Sequence, residues 1–310
     1  MDYLNQYLQT GQKDEAAISF YASLDLIYKT SPKIAKAILQ ELKDQRKYLK
    51  LIASENYSSL TVQQAMGNLL TDKYSEGVPY KRFYAGCDNV DTIEAEAVQL
   101  AKEIFQVDHA YVQPHSGADA NLVAFWAILV QRVQDKEIER LHKKDLNSLT
   151  DEEYEKVRQI LLSQKMMGMS LDAGGHLTHG YRHNISSKFF KSCGYGVDPK
   201  TGLIDYKALS DQVKKEKPLV LVAGYSAYSR LIDFSIMKEI ADSVDATLMV
   251  DMAHFAGLVA GGVFKDQYNP CKYADIITTT THKTLRGPRG GMVLCTKEYQ
   301  EIVDKGCPIV

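Results

Sequence analysis

Hydrophobic spacing divides the chain into three stretches. Ile34, Ala37, Ile38 and Leu42 recur at three- and four-residue intervals after Ser31-Pro32. This predicts helix across 15–50, with Ser31 as a cap and Pro32 at a first helical position. Such an arm either packs on its own core or clasps a second subunit. Residues 51–86 have weak periodicity and are crowded with tyrosines, carboxylates and glycines, which suits either a binding surface or a solvated connection. Helical and strand signals then alternate: helix 92–106, strand 110–112, helix 120–140, a helix from Thr150 with Glu153 as its capping-box partner, strand 219–223, helix 235–243, and strands 247–250, 275–279 and 291–295. Short apolar runs alternating with helices predict an α/β fold, a mostly parallel central sheet with helices on both faces. The predicted organisation is a helical arm over 1–50 and a large domain over 51–310, with a charged helical insertion at about 131–165.

Composition narrows the function classes. Lys and Arg total 37 against 39 Asp and Glu in 310 residues, so no basic field is present to hold a polyanion and no nucleic-acid partner is expected. In 131–165 acids and bases interleave as on a solvated helix pair. The longest apolar run, Leu122 to Val130, has nine residues against the roughly 20 of a membrane-spanning helix, so no membrane partner is expected. The amino terminus lacks the basic start and apolar core of a secretory signal. Five cysteines without a C-x-x-C suit reduced thiols in the cytoplasm.

In a parallel α/β sheet, ligands gather at the carboxyl ends of strands. Ser116 and Gly117 open a helix directly after a strand, which suits a phosphate or an ordinary helix cap. Asp251 ends the apolar run Thr247–Val250 and precedes His254; it could hold a protonated ring nitrogen, hold a metal, or cap the next element. Lys283 lies where the strand through Thr278–Thr281 runs out, before a glycine-rich turn, and a half-buried lysine there can form a Schiff base. No glycine precedes it at the spacing of a P-loop. His176, His179 and His183 follow Gly174-Gly175, but without H-E-x-x-H or a nearby cysteine no metal site is expected. An imidazole stacked on a flat ligand is the better reading. Phosphate cradle, strand-end carboxylate, strand-end lysine and stacking histidine together are what pyridoxal 5'-phosphate needs.

Seven motifs, in order over about 45–300, carry a resemblance: Leu51-Ile-Ala-Ser-Glu-Asn-Tyr57, Lys73-Tyr-Ser-Glu-Gly77, Gln113-Pro-His-Ser-Gly117, Gly174-Gly-His-Leu-Thr-His-Gly180, Ser226-Ala-Tyr-Ser229, Val250-Asp-Met-Ala-His254 with its continuation to Ala260, and Thr278-Thr-Thr-Thr-His-Lys283 through Gly291. The sequence resembles the serine hydroxymethyltransferases, enzymes of the fold-type I pyridoxal phosphate class. The resemblance implies reversible transfer of a one-carbon unit between serine and tetrahydrofolate, leaving glycine. It implies that Lys283 binds the cofactor aldehyde, Asp251 the pyridine nitrogen and His176 the ring face. His254 and Ser226 would lie on the ring-oxygen side, and Ser116, Gly117 and His282 near the phosphate. Ser54 and Glu76 would contact substrate, with Glu76 as proton carrier. Tyr74 and Tyr84 would reach the pocket of a second subunit in a homodimer. Leu171 and Gly175 to Leu177 would face the folate.

Three departures accompany the resemblance. Ala118 and Asp119 stand where the family more usually has a hydroxyl and an amide, and Asp119 would add negative charge near a phosphate. Residues 131–165 form a charged insertion. The sequence ends before the small domain that carries the family's carboxylate-binding arginine. The alternatives are a threonine-aldolase-like enzyme or a cofactor-binding or dimerising fragment without turnover.

Overall fold

The computed structural model describes residues 2–306, which fall into two compact units divided between Asn68 and Leu69. The first unit is helical: α1 (Tyr3–Leu8), α2 (Glu15–Thr30), α3 (Pro32–Lys47) and α4 (Leu60–Met66). The helix expected across 15–50 is thus two helices broken at Ser31, because Pro32 has no N–H to continue the first. Ser31 occupies the cap position, yet its hydroxyl makes no capping bond. The buried face is also rotated from the expected one. Ala35, Ile38 and Leu39 pack with Leu24 and Tyr3, while Ile34 is 55% exposed. The Asp25 carboxylate ties α1 to α2 by accepting the N–H groups of Tyr3 and Leu4.

The second unit begins with the short hairpin β1 (Gly77–Val78) and β2 (Lys81–Arg82), followed by α5 (Asp88–Phe105) and β3 (His109–Tyr111). Next come α6 (Gly117–Leu129), a π-helical turn over Val130–Gln134, α7 (Asp135–Arg140) and α8 (Asp151–Ser163). The remaining elements are β4 (Lys165–Met169), α9 (Ser186–Phe189), β5 (Lys191–Tyr195), α10 (Tyr206–Glu216), β6 (Val220–Gly224), α11 (Phe234–Asp242), β7 (Thr247–Asp251), α12 (Ala256–Ala260), β8 (Ile276–Thr280), β9 (Gly291–Cys295) and α13 (Gln300–Val303). The predicted capping box is present: Thr150 and Glu153 exchange side-chain to backbone hydrogen bonds. Within the charged stretch 131–165 Ile138, Val157 and Leu161 face inward, and ion pairs such as Lys156–Glu152 and Arg158–Glu155 lie on the solvated side.

Seven strands form one sheet in the order β3-β9-β8-β7-β6-β4-β5. Its pairs are parallel except those of β9, which runs against both β8 and β3. Strand residues alternate between two cores, as the two-residue period requires. Val220, Val222, Met249, Ile276 and Val293 join Phe125, Ile128 and Leu161 on the α6/α8 face. Leu221, Ala223, Leu248, Val250, Ile277 and Leu294 join Leu209, Phe234, Met237 and Phe255 on the α10/α11 face. Helices thus cover both faces of a mostly parallel sheet. The same alternation sends Asp251, Thr278 and Thr280 toward α6. No described helix is long and apolar enough to cross a membrane.

Candidate active site

A cavity of about 200 Å³ opens at the carboxyl ends of β6, β7 and β8. Its lining includes Ser116, Gly117, His176, Ser226, Asp251, His254, His282 and Lys283, drawn from across the sequence. Ala118, Tyr225, Thr280 and Arg289 also line it; residue-by-residue reading assigned them no cofactor contact, although each stands in or beside a quoted motif. Parallel strands deliver these groups to one edge because their ends all point the same way.

The start of α6 supplies one wall. Ser116 Oγ accepts the Asp119 N–H at 3.1 Å, leaving the N–H groups of Gly117 and Ala118 without a place in the helix ladder. Those groups, at the positive end of the helix dipole, suit an anion. A Cβ on Gly117 would lie 2.7 Å from Thr280 Cγ2, so only glycine lets the helix start lie this close to β8. Asp119 lines a separate groove and is not among the residues lining this cavity. Each helical residue turns about 100°, which carries its side chain away from the cradle.

Lys283 Nζ lies 3.1 Å from His254 Nε2. Burial lowers the Lys283 pKa from its ordinary value, with the charge of Asp251 opposing. Burial and the neighbouring Lys283 charge push His254 down to about 4, so its ring is neutral and Nε2 can accept the lysine proton. Burial likewise lowers His176, and it lowers His282, where Arg289 adds to the effect.

Asp251 is buried at the end of β7. Burial favours its neutral form, but the hydrogen bond and charge of His179 and the amide of Asn121 outweigh that and hold it well below the usual carboxylate range. His179 Nε2 is 3.2 Å from Asp251 Oδ2, and Asn121 Nδ2 is 2.9 Å from it. Reading of the sequence gave His179 and Asn121 no such role. The signal for His179 is its place in Gly-Gly-His-Leu-Thr-His; for Asn121 it is an amide within an apolar helix. Ligand atoms of His176, His179 and Asp251 lie within 4.8 Å of one another. Their bonds to each other, to Thr178 and to Asn121 make this a hydrogen-bonded network.

Four buried polar atoms on the cavity lining have no hydrogen-bond partner among the described residues: Ser226 Oγ, His254 Nδ1, Thr280 Oγ1 and His282 Nδ1. Buried polar groups are nearly always paired, so this concentration fits a polar ligand. With the α6 cradle, Lys283 and Asp251, the residues fit pyridoxal phosphate. Ser226 is brought beside the His176 loop because Gly174 O accepts the N–H groups of Ser226 and Ala227.

The other expected site residues lie elsewhere. Tyr74 and Glu76 line a separate groove of about 660 Å³ with Lys73, Arg82, Glu94, His115 and Asp119. The Tyr84 hydroxyl donates to Glu76, and the Tyr74 and Tyr84 rings meet edge to face. The hairpin is pinned by Arg82, which donates to Ser75 O and Gly77 O on either side of Glu76 and pairs with Asp91 and Glu94. Leu171 and Leu177 are exposed, Gly175 is buried against the Met169 carbonyl, and none of the three lines the cavity. Ser54 lies half-buried in a turn of the first unit.

The chain spans about half to three-fifths of the length of the curated relatives it matches. It is 56% identical over 310 residues to the serine hydroxymethyltransferase of Treponema pallidum, covering 99% of this chain and 54% of that protein. It is 57% identical over 297 residues to that of Mycolicibacterium smegmatis, covering 96% and 61%, and 54% identical over 312 residues to that of Chlamydia felis, covering 99% and 63%. The family model described as serine hydroxymethyltransferase matches residues 27–163 and 152–310. With these matches along nearly its whole length, the chain belongs to the serine hydroxymethyltransferase family.

Proposed function

We propose that the chain is the cofactor-carrying part of an enzyme that interconverts serine and glycine with tetrahydrofolate as one-carbon acceptor, and that pyridoxal 5'-phosphate binds in the Lys283 cavity. The observation that carries this is the set of four buried polar atoms, without partners among the described residues, on the cavity that Lys283 and Asp251 also line. When bound, the cofactor supplies an electron sink for negative charge developing on the amino acid's α-carbon. Lys283 would hold it through a side-chain nitrogen that burial makes easier to deprotonate. Asp251, kept ionised, would hold a proton on the ring nitrogen, and His176 would cover one ring face. Ser226 and His254 would take the ring oxygen. The Gly117 and Ala118 N–H groups, Ser116, Thr280 and His282 would receive the phosphate.

Glu76 and Tyr84 would carry a proton and contact substrate, with Tyr74 beside them, and Ser54, Leu171, Gly175 and Leu177 would contact serine or folate. The separation of the Glu76 groove from the Lys283 cavity supports a homodimer in which each subunit completes the other's site. Exposed apolar residues of the first unit, Leu26 at 65% and Leu49 at 90%, support the same reading. Free thiols at Cys87, Cys193, Cys271 and Cys295 support a cytoplasmic location.

Absorbance spectroscopy tests the proposal. Adding pyridoxal 5'-phosphate should produce a band near the visible–ultraviolet boundary, and glycine and then tetrahydrofolate should each shift it. No band would remove the cofactor assignment. A response to glycine with none to folate would favour aldolase chemistry.

A further inference from the structure

Asn121 is 1% exposed on α6, among buried Ala120, Val123, Ala124 and Phe125. An amide in such surroundings is costly unless its hydrogen bonds are made. Here they are: Nδ2 donates to Asp251 Oδ2 at 2.9 Å and to Thr178 Oγ1 at 2.7 Å, and Oδ1 accepts from Thr278 Oγ1 at 2.5 Å. The amide can sit only this way round, because an ionised carboxylate accepts and cannot donate.

The bonds continue on both sides. Thr178 Oγ1 lies 2.7 Å from His176 Nδ1, which also accepts the Thr178 backbone N–H. The Thr178 backbone N–H makes Nδ1 an acceptor, which puts the proton of a neutral His176 ring on Nε2, and the Thr178 hydroxyl that takes the Asn121 donor lies beside that nitrogen. On Asp251, Oδ2 takes the donors of Asn121 and His179, whereas Oδ1 takes, among the described residues, only the Ala253 N–H and keeps a lone pair to spare. Asn121 therefore joins the carboxylate and the imidazole that line the cavity.

We propose that Asn121 is a positioning residue for the cofactor: with His179 it occupies Asp251 Oδ2 so that Oδ1 meets the ring nitrogen, and it holds the Thr178 hydroxyl beside His176. This rests on the pyridoxal phosphate reading. The test compares dissociation constants of the purified chain for pyridoxal 5'-phosphate and for 1-deazapyridoxal 5'-phosphate, whose ring nitrogen is replaced by C–H. Wild type should prefer the natural cofactor. Asn121→Ala removes the donor, and Asn121→Asp keeps the shape while setting a second carboxylate beside Asp251, so it carries the test where the alanine variant fails to fold. Each should cut the preference about tenfold, the weight of one hydrogen bond to a charged group. Equal weakening toward both cofactors would make Asn121 merely structural and overturn the proposal, as would an unchanged preference. A wild-type chain that binds neither, or a Lys283→Ala variant that binds pyridoxal 5'-phosphate as well as wild type, would instead refute the cofactor reading, and the proposal with it.

Discussion

Replacing Gly224 by alanine should unsettle the cavity from behind. Gly224 ends β6 with φ +122°, a conformation that side chains rarely adopt, and it pairs in register with Asp251. A Cβ there would lie 2.1 Å from Asp251 O and 2.9 Å from its carbonyl carbon. Backbone strain costs about 1–3 kcal/mol. Relief of the overlap must move β7, an overpacking cost of about 1–3 kcal/mol more. The sum, about 2–6 kcal/mol, is a large share of a stability of roughly 5–15 kcal/mol. At about 2–4 °C per kcal/mol, the melting temperature should fall by roughly 4–24 °C. Gly202→Ala is the control: its φ is +68°, but nothing lies within 4 Å of a new Cβ, so only about 1–2 kcal/mol of strain applies. The assay is thermal unfolding of both variants by circular dichroism, followed by pyridoxal 5'-phosphate titration. Gly224→Ala should also bind more weakly, because the moved backbone carries the Asp251 carboxylate with it. Equal melting of the two variants, or Gly224→Ala binding like wild type, would refute the reasoning.

Borohydride reduction of the chain with pyridoxal 5'-phosphate, followed by peptide mapping, should label Lys283, and Lys283→Ala should abolish the absorbance band; a label on another lysine would reassign the site. Glu76→Gln should remove folate-dependent serine cleavage in the active protein while leaving cofactor affinity nearly unchanged, since Glu76 lies outside the Lys283 cavity; equal loss of cofactor would make Glu76 structural. His254 falls from an ordinary 6.5 to about 4 on folding, so between those values the unfolded chain binds more protons, and stability falls as pH is lowered from about 6.5 to about 4. Thermal unfolding of the cofactor-free chain across that window should show a shallower slope for His254→Asn, and an identical slope would remove His254 as a source.

The elements were largely legible in the sequence. Runs such as Thr247–Val250 and Gly291–Cys295 read as strands because their periodicity and punctuation are local properties, and Asp251 and Lys283 stood out because polar groups rarely end such runs. Strands β4 and β5 were not read: Lys165-Met-Met-Gly-Met and Lys191-Ser-Cys-Gly-Tyr contain internal glycines and few β-branched residues, and they are strands because neighbours pair with them. Helix α10 was missed as well, between a turn at Asp198–Gly202 and strand β6.

Relations between distant residues belonged to the tertiary structure alone. Asn121 and Asp251 are 130 positions apart, and Asn121 and Thr278 are 157 apart. Nothing in either local sequence states that one amide serves both. The division of the expected site into a Lys283 cavity and a Glu76 groove has the same origin. Motifs specify which groups are available, a matter of side-chain chemistry. Which groups share a pocket depends on strand order and on the side of the sheet each residue faces, and those are settled only when the helices close over it.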